Sequence, residues 1–380
     1  MLSRDESSSP RNDPRRCPEL VFALVGPLGT DLSSLGEVLA EALSQVGYRA
    51  EVYRLSRLMR ELPGQPWAGL QDGPRDEEIE SHMEAGNDLR RRTRQNDALV
   101  MLGIGAIRER RQTANGDPNS PMAGHAHILH SLKRPEEVET LRRIYGPAFH
   151  VLSAYSHRSR RVEDLARRIA QSRHSNQLSE YLPKAEALLA RDESESDDKH
   201  GQDVRKIFPL ADVIVDTSNK RAMASEIHRF VELLFGNTFH TPKRDEEGMY
   251  YAYAAALRSA SLARQVGAAI CRSDGSLVAV GTNEVAESGG GQYWCESAND
   301  GRDFLLGHDS SDRMRENLLG DIIQRLMDNA WLAVDKSKMP VSELVKIALH
   351  GEEGSEPIMR GRNSQAPSIS SGPFTRRWQR

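Results

Sequence analysis

The sequence predicts an α/β protein: a doubly wound parallel sheet followed by a second, incomplete α/β unit. Three observations lead there. Short apolar runs, over residues 20–25, 126–130 and 149–154, alternate with amphipathic helical stretches, the pattern of strands covered by helices on both faces. A glycine-bearing loop, Gly26-Pro-Leu-Gly29-Thr-Asp31, joins the first run to the first helix. The chain of 380 residues is longer than the roughly 250 to 300 that one core holds, so two domains are expected.

Residues 1–18 carry Ser, Pro, Asp and Arg with little to bury and are expected to be disordered. The first domain is expected over 19–238. Its first strand, 20–25, leads to a helix with Leu32, Leu35, Val38, Leu39, Ala42, Leu43 and Val46 on one face. Strands follow at 50–55, 126–130, 149–154 and 211–215. Helices are expected at 76–93, 98–110, 134–145 and 222–234. The acidic run 191–200 reads as a solvated connection, with a substrate lid as the alternative. Thr241-Pro-Lys-Arg244 breaks the chain near residue 240.

The second unit is expected over 243–355. Tyr250, Ala254, Leu257 and Ser261, flanked by Tyr253, Ala256 and Ala260, predict a helix face lying against a sheet. Residues 266–270 and 277–280 form a hairpin through Ser273-Asp-Gly-Ser276, with Gly275 where positive φ costs least. Residues 286–312 read as a long loop. A helix over 315–336 carries Leu318, Ile322, Leu326, Ala330 and Leu332, and a shorter one spans 341–349. Beyond, 356–380 is broken by Gly and Pro, rich in Arg, without periodicity, and expected to be disordered.

A net charge of −4 describes a mixed surface and no dedicated nucleic-acid binder. No apolar run approaches the roughly 20 residues of a membrane span and the first residues lack a signal-peptide core, so a cytoplasmic protein is expected. Three cysteines, Cys17, Cys271 and Cys295, make no framework or C-x-x-C knuckle; Cys271, ending a strand, reads as a small core residue.

The loop after the first strand departs from the phosphate-binding pattern G-x-x-x-x-G-K-[ST]. Asp31 stands at the second glycine, Leu32 at the lysine, and Ser33 keeps its hydroxyl. The helix N-terminus still offers free N–H groups, with Thr30 or Asp31 as its cap. Weak phosphate binding by Gly26, Gly29 and Thr30 is therefore expected, in a P-loop-like domain without kinase chemistry.

Arg264-Gln-Val-Gly-Ala-Ala-Ile270, the Asp-Gly hairpin and Gly281-Thr-Asn283 resemble the opening of the cytidine and deoxycytidylate deaminase fold. Gly289-Gly-Gly-Gln-Tyr-Trp294 and Gly301-Arg-Asp-Phe304 resemble an insertion of the anti-phage deoxycytidine-nucleotide deaminases, which join a P-loop-like domain to such a deaminase. The resemblance spans about residues 20–355. It implies hydrolytic deamination of dCMP or dCTP on a zinc-bound hydroxide, a homo-oligomer being compatible with it. It also implies that Asn283 contacts the nucleotide sugar, with capping of a turn as the alternative. Arg264 meets a phosphate or pairs with Glu284.

The zinc signature, H-x-E followed by P-C-x-x-C, is absent. His125 and His127 share a strand face but make no site by themselves, and His200 is isolated. No zinc and no catalytic residue are therefore expected in this chain, although the family uses both. Two readings follow: a deoxycytidylate deaminase family member without activity, or a nucleotide-binding or regulatory protein with an inert deaminase remnant. Read one base out of frame with permitted synonymous codons, the tail from Gly372 gives S-V-H-A-E-V-A-A, so 356–380 is expected to be an out-of-frame segment.

Overall fold

The computed structural model describes residues 17–351 apart from 71, 196, 197 and 263. The tail expected to be out of frame, and most of the N-terminal segment, lie outside the described residues. The chain divides into two compact units after His240.

The first unit runs β1 (Leu20–Val25), α1 (Leu32–Gln45), β2 (Arg49–Arg54), α2 (Leu55–Arg60), α3 (Arg75–Thr93), α4 (Ala98–Asn115), β3 (His125–His130), α5 (Pro135–Tyr145), β4 (Phe149–Tyr155), α6 (Arg158–Ser172), α7 (Leu178–Glu193), α8 (Val204–Ile207), β5 (Val213–Asp216) and α9 (Lys220–Leu234). The five strands are parallel, in the order β2-β3-β1-β4-β5. β1 is central, and all six of its residues are buried.

Alternation along β1 sorts its side chains between two cores. Leu20, Phe22 and Leu24 pack with Leu35, Leu39 and Leu43 of α1 and with Ile227 and Phe230 of α9. Val21, Ala23 and Val25 pack with Val100, Ile104 and Ile107 of α4 and with Val138 and Leu141 of α5. A strand buried on both faces must be apolar throughout, which is why the run reads as continuous.

At the other end of the strands a polar chain is buried. The Tyr53 hydroxyl lies 3.1 Å from His127 Nδ1, and His127 Nε2 lies 2.9 Å from Glu19 Oε1. Arg111 and the Met122 amide also donate to that carboxylate. Burial alone would raise the Glu19 pKa, yet the bonds from His127, Arg111 and Met122 hold it at about 2.

Between β4 and β5 the sequence reading found a connection where the structure has two long helices, α6 and α7, and the short α8. α6 and α7 pack together through Leu165, Ile169, Leu188 and Leu189, with Ile79 and Met83 of α3. The acidic run is not simply solvated, since Asp192, in the last turn of α7, is fully buried.

The second unit runs α10 (Arg244–Ala256), β6 (Gly267–Cys271), β7 (Leu277–Thr282), α11 (Asp303–Leu306), α12 (Ser310–Asp328) and α13 (Val341–His350). β6 and β7 form an antiparallel hairpin. The helix face expected against it is wrong: Tyr250 and Leu257 are 56% and 63% exposed. The contact is made by the α10 backbone instead, since a Cβ on Gly267 would fall 1.9 Å from the Ala252 carbonyl oxygen. Gly267 is what permits that approach. α10 ends at Ala256, before Ser261 can join it.

Cys271 is exposed, not in a core, because a two-stranded sheet has little interior to offer. The face of α12 is also one residue off. Leu319 and Ile323 pack with Leu344, Val345 and Ala348 of α13, while Leu318 and Ile322 are exposed.

Candidate functional site

The 26–31 loop leaves β1 beside β4, where the sheet order changes direction, the position at which open α/β sheets bind ligands. Its shape follows from its residues. Both the amide and the hydroxyl of Thr30 donate to the Pro27 carbonyl, at 3.2 and 2.7 Å, closing a turn. Gly29 has φ +88°, and a Cβ there would fall 2.8 Å from the Arg161 carbonyl oxygen. A Cβ on Gly26 would fall 2.5 Å from Thr30 Oγ1. Glycine is required at both positions.

Asp31, not Thr30, caps α1, accepting from the Ser34 amide at 3.1 Å and from its hydroxyl at 2.7 Å. Burial would raise the Asp31 pKa, but those bonds lower it. Among the described residues, the N–H groups of Gly29, Leu32 and Ser33 have no acceptor. They lie at the positive end of a 14-residue helix.

One loop amide does have a partner. Leu28 N–H donates to Asp192 Oδ2 at 2.6 Å, and Lys133 Nζ donates to Asp192 Oδ1 at 2.6 Å. Lys133 comes from the loop after β3 and is not the lysine of a phosphate-binding motif. It nonetheless brings an ammonium to the anion held by the loop. Beside them, Arg161 donates to the Ser156 carbonyl and to Glu193, and its Nη1 is buried with no partner among the described residues.

The sequence reading missed Lys133, Arg161 and Asp192. Asp192 sat in the acidic run with nothing to mark it, and the lysine is about 100 residues from the glycines it serves.

In the second unit the two predicted residues are neighbours. Asn283 Nδ2 donates to the Arg264 carbonyl at 2.7 Å, while Asn283 Oδ1 accepts from the Val266 amide and the Ser259 hydroxyl, both at 2.8 Å. Its amide is thus committed to shaping the 259–266 segment. The Arg264 guanidinium has no partner among the described residues, and Glu284 instead accepts from the Ala260 and Val285 amides at 2.7 and 2.8 Å.

His127 is spent on Tyr53 and Glu19, His125 on the Ala123 carbonyl, and His200 on Asn96. Among the described residues no three His, Cys, Asp or Glu side chains gather as a metal site, and the residues present do not fit zinc. Among them, too, no helix is long and apolar enough to cross a membrane.

No family model matches the chain, and no curated protein does. Among solved structures it is similar to a gluconokinase from Sinorhizobium meliloti 1021, at 16% identity over 59% of this chain and 99% of that one, TM-score 0.28. It is also similar to the protein APE1195, at 17% identity over 58% of this chain and 99% of that one, TM-score 0.31. Likenesses this slight decide neither fold nor function.

Proposed function

We propose that the chain is a nucleotide-binding or regulatory protein. Its first unit takes a nucleotide phosphate on the 26–33 segment, and its second is a deoxycytidylate-deaminase-like remnant without hydrolytic activity. One observation carries the reading: the loop amide of Leu28 and the Lys133 ammonium converge on a single anion, beside three N–H groups with no acceptor among the described residues. A phosphate oxygen accepts the same bonds as a carboxylate oxygen. Gly26 and Thr30 shape the loop, and Gly29 both shapes it and offers its N–H.

Because Asp192 already holds two of the donors, binding is weak. A phosphate must displace a buried carboxylate or settle for the remaining amides. No kinase step is proposed, since Leu32 stands at the lysine of the phosphate-binding motif and Asp31 at its second glycine. No deamination is proposed either: His82-Met83-Glu84 and His350-Gly351-Glu352 match H-x-E, but the chain has no P-C-x-x-C to complete a zinc site beside a catalytic Glu. The deaminase reading survives in Arg264, whose open guanidinium would meet a nucleotide phosphate, with Asn283 holding the backbone beneath it.

The test is titration of the full chain with dCTP and with deoxycytidine, with and without Lys133→Met. Weak dCTP binding, reduced by the substitution, and no deoxycytidine binding are expected, with no uridine nucleotide formed. Equal binding of dCTP by both chains, or none by either, would overturn the proposal.

A further inference from the structure

A second polar cavity, unconnected with the loop, lies in the first unit among the end of α3, the start of α4, the flank of α5 and residues 199–200. Its volume is about 630 Å³, within the range of small-molecule sites, and Arg94, Asp97, Glu139, Arg143 and Lys199 supply its charged lining together with Arg91 and Glu136.

The charges sort into those already paired and those not. Arg91 bonds Glu84, and Glu136 accepts from Arg134 and Asn96. Among the described residues no carboxylate pairs with Arg94, Arg143 or Lys199; Arg143 has a hydrogen bond to Thr140 at 3.2 Å. Two acceptors face these three cations. Asp97 takes the Thr140 hydroxyl at 2.7 Å, and Glu139 has no partner among the described residues. A cavity with surplus cations and spare carboxylates suits a molecule that is anionic at one place and rich in hydroxyl donors at another.

The wall behind is rigid. Arg90 is 1% exposed and lies 3.5 Å from the fully buried Glu137, while its Nη1 donates to Asn87 and to the His200 carbonyl. Glu137 in turn accepts from the Lys133 and Arg134 amides that open α5. Three separate segments are thereby fixed around the cavity. Arg94, closing α3, stands at φ +56°, a conformation a non-glycine residue adopts at a cost and one that recurs where function needs the side chain.

We propose that this cavity binds a phosphate monoester of a sugar or nucleoside. Arg94, Arg143 and Lys199 take the phosphate, and Asp97 and Glu139 accept from hydroxyls. This site shares no residue with the loop, so it stands or falls separately from the nucleotide reading.

The experiment is calorimetric titration of the full chain with ribose 5-phosphate, ribose and inorganic phosphate. Arg94→Gly is the informative variant, because glycine relieves the positive φ and should leave the melting temperature unchanged or raised. Ribose 5-phosphate should bind more tightly than phosphate, and ribose should not bind. Arg94→Gly and Lys199→Gln should each weaken ribose 5-phosphate binding about tenfold or more, the worth of one charged hydrogen bond, and Lys133→Met should leave it unchanged. No binding by the parent chain, equal affinity for phosphate and ribose 5-phosphate, or undiminished binding in both cavity variants would overturn the proposal.

Discussion

The two units solve the burial problem to different extents. In the first, β1 has helices on both faces, and most of its residues are wholly removed from water. In the second, α10 has no buried residue, every residue of β7 is exposed or half-buried, and Val278 and Val280 are 53% and 54% exposed. A strand between two helical layers needs no further partner; a two-stranded hairpin with one helix is marginal in water. The contrast teaches that the first unit holds its candidate sites rigidly, whereas the hairpin's apolar surface is left largely uncovered.

Amide hydrogen exchange tests that contrast most broadly. β1 amides should exchange only through global opening of their unit, and β6 and β7 amides much faster; comparable protection in both sheets would remove the contrast. Next in size is the buried pair in the first unit. Glu137→Ala leaves Arg90 without its carboxylate and should lower stability by about 3 to 5 kcal/mol in urea unfolding, where a loss under 1 kcal/mol would mean that the pair is dispensable.

A similar magnitude, but dependent on pH, is expected at Glu19. Its folded-state pKa of about 2 lies below the ordinary 4.5. The stabilisation is therefore fully present above pH 4.5 and is lost as the pH falls through 2, amounting to about 3 kcal/mol. Glu19→Gln should flatten that part of the pH–stability curve, and an unchanged acid limb would contradict the role of the network. The smallest effect lies in the second unit. Leu319→Ala should cost about 2 kcal/mol, read from exchange of α12 and α13 amides, while Leu318→Ala should cost under about 0.5. The reverse ranking would restore the face read from sequence.

That face shows where legibility ended. Strands such as β1 and β4 were readable because burial on both sides leaves an unbroken apolar run, and α1 because its leucines recur at helical spacing. α6 and α7 were overlooked because their exposed sides are crowded with Arg and Glu, as in Arg158, Arg160, Arg167 and Glu180. On α12, Leu318 and Leu319 are adjacent, as are Ile322 and Ile323, so periodicity alone could not choose between them. α10 was misread because its contact with the hairpin is made by backbone against Gly267, which leaves no apolar stripe.

The site was legible in the same partial way. Gly26, Gly29 and the helix cap could be read, since turn chemistry is local. Lys133 and Asp192 arrive from β3 and α7, and the sheet order that brings them to the loop is not written at their own positions. Asn283 was read as a ligand contact, with a turn cap as the alternative; its three side-chain hydrogen bonds hold its own loop.

The central claim is that the 26–33 segment is an anion site now occupied by the chain's own carboxylate. Asp192→Asn tests it most directly: the shape is kept, a carbonyl remains for the Leu28 amide, and the negative charge beside Lys133 is gone. In calorimetric titrations the account predicts that this variant, melting as a folded protein, binds dCTP at least about tenfold more tightly than the parent chain, as a charged bond passes to the ligand. A folded variant with dCTP affinity equal to or below the parent's would contradict it.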